Sequence, residues 1–83
     1  MERFLVVDDD PSITDVLRRV LESMGHPVTV HNDPLQAAKE TDFDLVLTDF
    51  MMPNLNGVEL LAVLRAKRPD AVRLLITAAN DFR

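Results

Sequence analysis

The chain of 83 residues carries 47% apolar and 28% charged side chains and no cysteine. That composition supports one small domain with its own core, and the length leaves no room for a second. Nine Lys plus Arg against fourteen Asp plus Glu give a net charge of -5, which disfavours a nucleic-acid backbone or an anionic membrane surface as partner of this segment. Without cysteine there is no disulfide framework and no thiolate metal site, and no apolar run has the length of a bilayer span or the form of a signal peptide. A cytoplasmic domain is the expectation.

Phe4 to Val7 is a continuous apolar run stopped by Asp8, Asp9 and Asp10, the pattern of a strand buried on both faces. Asp10 before Pro11 reads as an N-cap followed by a proline at the first helical position, where its missing N–H is no loss. Ile13, Val16, Leu17, Val20, Leu21 and Met24 then recur at helical spacing and predict an amphipathic helix. Gly25 stands where a left-handed C-cap belongs, Pro27 prevents continuation, and Val28 to His31 reads as a second strand. Asp33 and Pro34 repeat the cap signal ahead of a short helix from Leu35 to Glu40. Leu45 to Leu47 opens a third buried strand that runs into Thr48 and Asp49. After a polar loop, Gly57 precedes a third helix in which Val58, Leu61 and Leu64 are expected to share a face, ending near Pro69. Arg65, Lys67, Arg68 and Arg73 near its end read as a solvated basic face that complements the helix dipole. Val72 to Thr77 reads as a fourth strand.

Strands alternating with helices imply right-handed crossovers and a parallel sheet, in which ligands gather at the carboxyl ends of the strands. Asp8 and Asp9 end the first strand, Asp49 the third and Thr77 the fourth, so polar residues distant in sequence are expected on one rim. Carboxylates forced together repel unless a cation neutralises them, and an all-oxygen set without cysteine favours Mg²⁺ or Mn²⁺. A carboxylate screened by such an ion can attack a phosphoryl donor to give an aspartyl phosphate. Asp49 is the candidate nucleophile, because it is the acid at the tip of the central apolar strand and precedes a loop whose backbone could supply a carbonyl ligand. Asp10 is assigned to the helix cap, leaving Asp8 and Asp9 as the metal-facing pair, with Asp9 and Asp10 as the alternative register.

Three stretches resemble the receiver domains of two-component response regulators: the strand running into Val7-Asp8-Asp9-Asp10-Pro11, the segment Asp49-Phe50-Met51-Met52-Pro53-Asn54-Leu55-Asn56-Gly57, and Ile76-Thr77-Ala78. The resemblance implies a flavodoxin-like doubly wound parallel sheet over residues 1–83, incomplete at four strands and three helices. It implies Asp49 as phosphoacceptor, Asp9 as a direct Mg²⁺ ligand, Asp8 acting largely through metal-bound water, and Met51 contributing its backbone carbonyl. Thr77 corresponds to the switch hydroxyl on the phosphoryl group and Ala78 to the small neighbour that leaves access to it. The implied partners are a sensor histidine kinase and an output domain or protein, and the implied role is that of a phosphoacceptor, not an enzyme.

The family's fifth-strand Lys and aromatic switch residue have no counterpart in the 83 residues. A sheet that stops at the fourth strand is expected to leave the first helix and that strand partly uncovered, and so to pair as a homodimer or swapped assembly. Two other readings use the same residues. Asp8-Asp9-Asp10 after a strand also resembles haloacid-dehalogenase-type phosphatases, with Asp8 as nucleophile, Asp10 as acid and Thr77 as the later hydroxyl. A non-catalytic interaction module would keep the aspartates without using them.

Overall fold

The computed structural model describes residues 2–76. The elements follow as β1 (Phe4–Val7), α1 (Pro11–Ser23), β2 (Val28–His31), α2 (Pro34–Ala37), β3 (Leu45–Asp49), α3 (Gly57–Lys67) and β4 (Val72–Ile76). The four strands form one parallel sheet in the order β2-β1-β3-β4. Chain order reverses direction between β1 and β3, which makes the crevice beyond their carboxyl ends the switch point of the sheet.

The local signals act as their chemistry dictates. Asp10 accepts the Ser12 N–H at 2.9 Å and Asp33 accepts the Leu35 N–H at 2.9 Å, so both helices that open with proline are capped by the preceding aspartate. Gly25 has φ +90°, and the N–H groups of Gly25 and His26 reach back to the carbonyls of Glu22 and Leu21 at 3.0 and 3.1 Å, the Schellman closure of α1. The second helix is shorter than its sequence suggests. It ends at Ala37 instead of Glu40, because the next N–H groups, of Lys39 and Glu40, bond three residues back to Gln36 and Ala37 and tighten the chain into turns.

The core lies mainly on one side of the sheet, where Leu5, Val7 and Val46 meet Ala37, Phe43, Met52, Leu60 and Leu64. Side chains alternate along a strand, so Val6 faces the other side, toward α1. The buried stripe of α3 is Gly57, Leu60 and Leu64; Val58 is 54% exposed and does not share the face expected of it. The step from Leu60 to Leu64 is one helical turn on the sheet-facing side, and Val58 lies two residues from Leu60, well around the helix.

Among the described residues the α1 side is thinly covered. Thr14 is the buried residue of α1, while Val16, Val20 and Met24 are half or more exposed, as are Val72 and, nearly so, Leu74 of β4. The basic residues at the end of α3 remain largely at the surface, with Arg65 and Lys67 exposed, but two of them are also engaged. Arg68 donates to the Thr41 carbonyl at 3.1 Å, approaches Asp44 at 3.5 Å and lies over the Phe43 ring, and Lys67 donates to the Ala38 carbonyl. They tie α3 to the segment between α2 and β3. No helix among the described residues is long and apolar enough to cross a membrane.

Candidate functional site

Register places the acids. Val7 pairs with Thr48 across the β1–β3 ladder, so the next residues, Asp8 just past β1 and Asp49 closing β3, stand side by side at the carboxyl edge of the sheet. Carboxylate oxygens of Asp8, Asp9 and Asp49 lie within 4.8 Å of one another. Asp10 stands apart from this group, its carboxylate committed to the cap of α1. The acids that the structure brings together on this rim are therefore Asp8, Asp9 and Asp49.

The three carboxylates differ in setting. Asp8 is 8% exposed, Asp9 is exposed, and Asp49 is intermediate. Oδ1 of Asp8 accepts the Asp10 N–H at 2.9 Å. Burial pushes the Asp8 carboxyl above its ordinary range; the Asp10 N–H opposes that shift, and the negative charges of Asp49 and Asp9 reinforce it. Among the described residues none of the three is ion-paired with Lys or Arg. Concentrated, uncompensated negative charge on oxygen donors fits a hard divalent cation.

The loop after β3 is built to hold Asp49 in place. Met52 is buried in the core below it, whereas the Met51 side chain is 72% exposed. Asn54 has φ +73°, a left-handed turn that asparagine tolerates. Asn56 accepts the Glu59 N–H and Glu59 accepts the Asn56 N–H, each at 2.9 Å, a complete capping box at the start of α3. The Asn-x-x-Glu spacing was available as a sequence signal for this cap, beside the Gly57 signal. Thr77 and Ala78 lie outside the described residues.

Similarity to known proteins follows the same outline. The chain is 41% identical over 83 residues to the DNA-binding response regulator MtrA of Mycolicibacterium smegmatis, covering 96% of this chain and 36% of that protein. It is 37% identical to the transcriptional regulatory protein CpxR of Escherichia coli, covering 99% of this chain and 36% of that protein. The chain thus spans a little over a third of the length of these relatives. Among solved structures, response regulator TrrA of Thermotoga maritima, in complex with Mg²⁺-BeF, matches with a TM-score of 0.88 and 35% identity over 100% of this chain and 75% of that one. The profile of the response regulator receiver domain matches residues 4–83, so that the strand order, the acidic rim and the sequence agree: the chain belongs to the response regulator receiver domain family.

Proposed function

We propose that this chain is the phosphoacceptor receiver of a two-component response regulator, with residues 1–83 acting as one receiver unit. The observation that carries the reading is the convergence of Asp8, Asp9 and Asp49 within 4.8 Å at the switch point of the sheet. In the proposed reaction an Asp49 carboxylate oxygen attacks the phosphorus of a phosphohistidine on a sensor histidine kinase. The new O–P bond forms as the N–P bond breaks, and the imidazole leaves with the electron pair and recovers a proton.

Asp8, Asp9, Asp49 and the main-chain carbonyl of Met51 are the proposed Mg²⁺ ligands, Asp9 directly and Asp8 largely through water. A bound Mg²⁺ would supply the charge screening that lets a carboxylate approach an anionic phosphoryl group. TrrA, solved with Mg²⁺-BeF, supports this assignment. Thr77 is proposed as the hydroxyl that hydrogen-bonds the phosphoryl oxygen; its support is the strand-end motif Ile76-Thr77-Ala78. The chain's role is to accept and hold the group, not to turn over a substrate.

Phosphorylation is proposed to regulate an output domain or protein in the cytoplasm, as the regulatory names of MtrA and CpxR suggest. Pairing with a second copy is proposed on the exposed apolar residues of α1 and β4: among the described residues β4 is hydrogen-bonded on one side only, to β3. Sedimentation at two concentrations tests that pairing, and a monomer at both would remove it.

The deciding experiment is incubation with Mg²⁺ and acetyl phosphate, followed by intact mass. A single acid-stable, base-labile phosphoryl adduct absent from Asp49→Asn is the expected result. Sustained hydrolysis of phosphate esters that is lost in Asp8→Asn and kept in Asp49→Asn would replace this reading with the phosphatase. Absence of any adduct would leave an interaction module.

A further inference from the structure

Asn32 is the first residue past β2, and its side-chain nitrogen bridges two parts of the chain that carry the site. Nδ2 lies 2.8 Å from the main-chain oxygen of Asp8 and 2.9 Å from Oγ1 of Thr14. An amide nitrogen has two hydrogens and can serve both acceptors at once. The chemistry fixes the orientation, since the Asp8 carbonyl only accepts and the NH₂ group, not Oδ1, must face it. Thr14 Oγ1 is itself placed to donate to the Pro11 carbonyl at 3.1 Å, which leaves it an acceptor toward Asn32. Asn32 therefore ties β2 both to the Asp8 peptide and to the first turn of α1.

This brace sits where the β1–β2 ladder ends. The Asp8 N–H donates to the His31 carbonyl at 3.2 Å, and past that bond the chain must turn out of the sheet. Asp8 is then held at three points: its N–H by His31, its carboxylate by the Asp10 N–H, and its carbonyl by Asn32. The Asp8 carbonyl belongs to the planar peptide that leads to Asp9. Holding that oxygen restrains the peptide plane, and with it the position of the Asp9 N and Cα from which the side chain departs.

We propose that Asn32 is a positioning residue that pre-organises Asp8 and Asp9 for a divalent cation by locking the peptide between them. The inference rests on the receiver reading above. Asn32 touches neither the cation nor the phosphoryl group and acts through the Asp8 main chain. Its amide also does what a carboxylate at the same position could not, because a carboxylate offers no hydrogen to the Asp8 carbonyl.

The test compares Asn32→Leu and Asn32→Asp with the wild-type chain in Mg²⁺ titrations by calorimetry and by the amide NMR shifts of Asp9 and Asp10. Thermal unfolding in EDTA is measured in parallel. Both variants are expected to bind Mg²⁺ about 10-fold more weakly, the size typical of losing a group that orients a metal ligand. Asn32→Asp is the sharper arm, since its added negative charge would by itself tighten cation binding, and it keeps the native shape if Asn32→Leu does not fold. A merely structural role would lower the unfolding midpoint and leave the Mg²⁺ affinity of the folded protein unchanged. Variant affinities within about twofold of wild type, far short of that expected loss, overturn this inference alone. A wild-type chain that takes up no Mg²⁺ overturns both it and the receiver reading.

Discussion

Gly57 stands so close to Asp49 that a Cβ placed on it would lie 2.3 Å from the Asp49 carbonyl oxygen, 2.6 Å from Leu75 Cδ1 and 3.0 Å from the Phe50 Cα. Close approach, not a left-handed backbone, requires glycine here, because the positive-φ glycine of this chain is Gly25. The first turn of α3 seats directly on the end of β3, and the Gly57 N–H donates to the Phe50 carbonyl at 2.8 Å. Helix, loop and candidate phosphoacceptor are thereby one packed unit.

Gly57→Ala is accordingly expected to destabilise by about 2 kcal/mol through overpacking against main-chain atoms that cannot yield cheaply. That exceeds the roughly 0.4–1 kcal/mol that alanine gains by restricting the unfolded chain. Urea denaturation should show a lower midpoint with an unchanged slope, and Mg²⁺ binding should weaken as Asp49 is displaced. A midpoint equal to that of wild type would show that the contact relaxes freely.

Asp8 carries the opposite kind of cost. Its carboxyl pKa is raised, first by burial and then by Asp49 and Asp9, so the folded state holds its proton more tightly than the unfolded chain does. Stability from this group is present below the unfolded pKa and is lost as pH rises through the folded value. Asp8→Asn keeps an oxygen for the Asp10 N–H and removes the charge. In EDTA at neutral pH it should melt above wild type. Mg²⁺ should reverse the order, because an ion at about 100 times its Kd stabilises the native wild type by about 2.7 kcal/mol. If Asp8→Asn melts below wild type in EDTA, the crowded carboxylates are not a source of strain.

The alternation of elements, the caps at Asp10 and Asp33 and the reversal at Gly25 were legible because each rests on a local rule that nothing in the fold overrides. The acidic cluster was legible for a different reason: a parallel sheet gathers strand ends on one rim, whatever the exact register. The faces of helices were less so. On α3 the run Leu60, Leu61, Val63, Leu64 leaves several stripes open, and only packing against Leu5 and Val46 selects Leu60 with Leu64 over Val58. The end of α2 was set by turns that free the chain to bury Phe43, and Lys67 and Arg68 at the end of α3 were engaged by carbonyls and, for Arg68, by Asp44 far along the sequence. Such long-range pairings leave no periodic trace.

Asp44 is held ionised by two arginines. Arg3 donates to it from its main-chain N–H at 2.8 Å and from Nε at 3.1 Å, and Arg68 approaches at 3.5 Å. Hydrogen bonds from the Arg3 side chain, then from its backbone, hold the Asp44 carboxyl down at about 2. A depressed carboxylate pKa gives stability that is present above the unfolded value of about 3.9 and is lost as pH falls through the folded value. Asp44→Asn should be less stable than wild type at pH 7, and the gap should close between about pH 4 and pH 2. Urea midpoints across that range report it, and raising the salt should narrow the gap at pH 7 because the pair is partly solvated. A gap independent of pH would assign the loss to packing.

Two substitutions on α3 decide which face it presents to the sheet. Leu60 is fully buried in the core cluster, and Leu60→Ala removes side-chain contacts and leaves a cavity, a change that costs about 2–5 kcal/mol. For a chain of this length the total stability is on the order of 4–12 kcal/mol, so the loss is a large share of it and the melting midpoint should fall by about 10 °C or more. Val58 is more than half exposed, and Val58→Ala trades little buried area for a better helix former, so its midpoint should stay within about 0.5 kcal/mol of wild type. Equal losses at the two positions would mean that α3 is rotated relative to the sheet, and the seat of Gly57 against Asp49 would have to move with it.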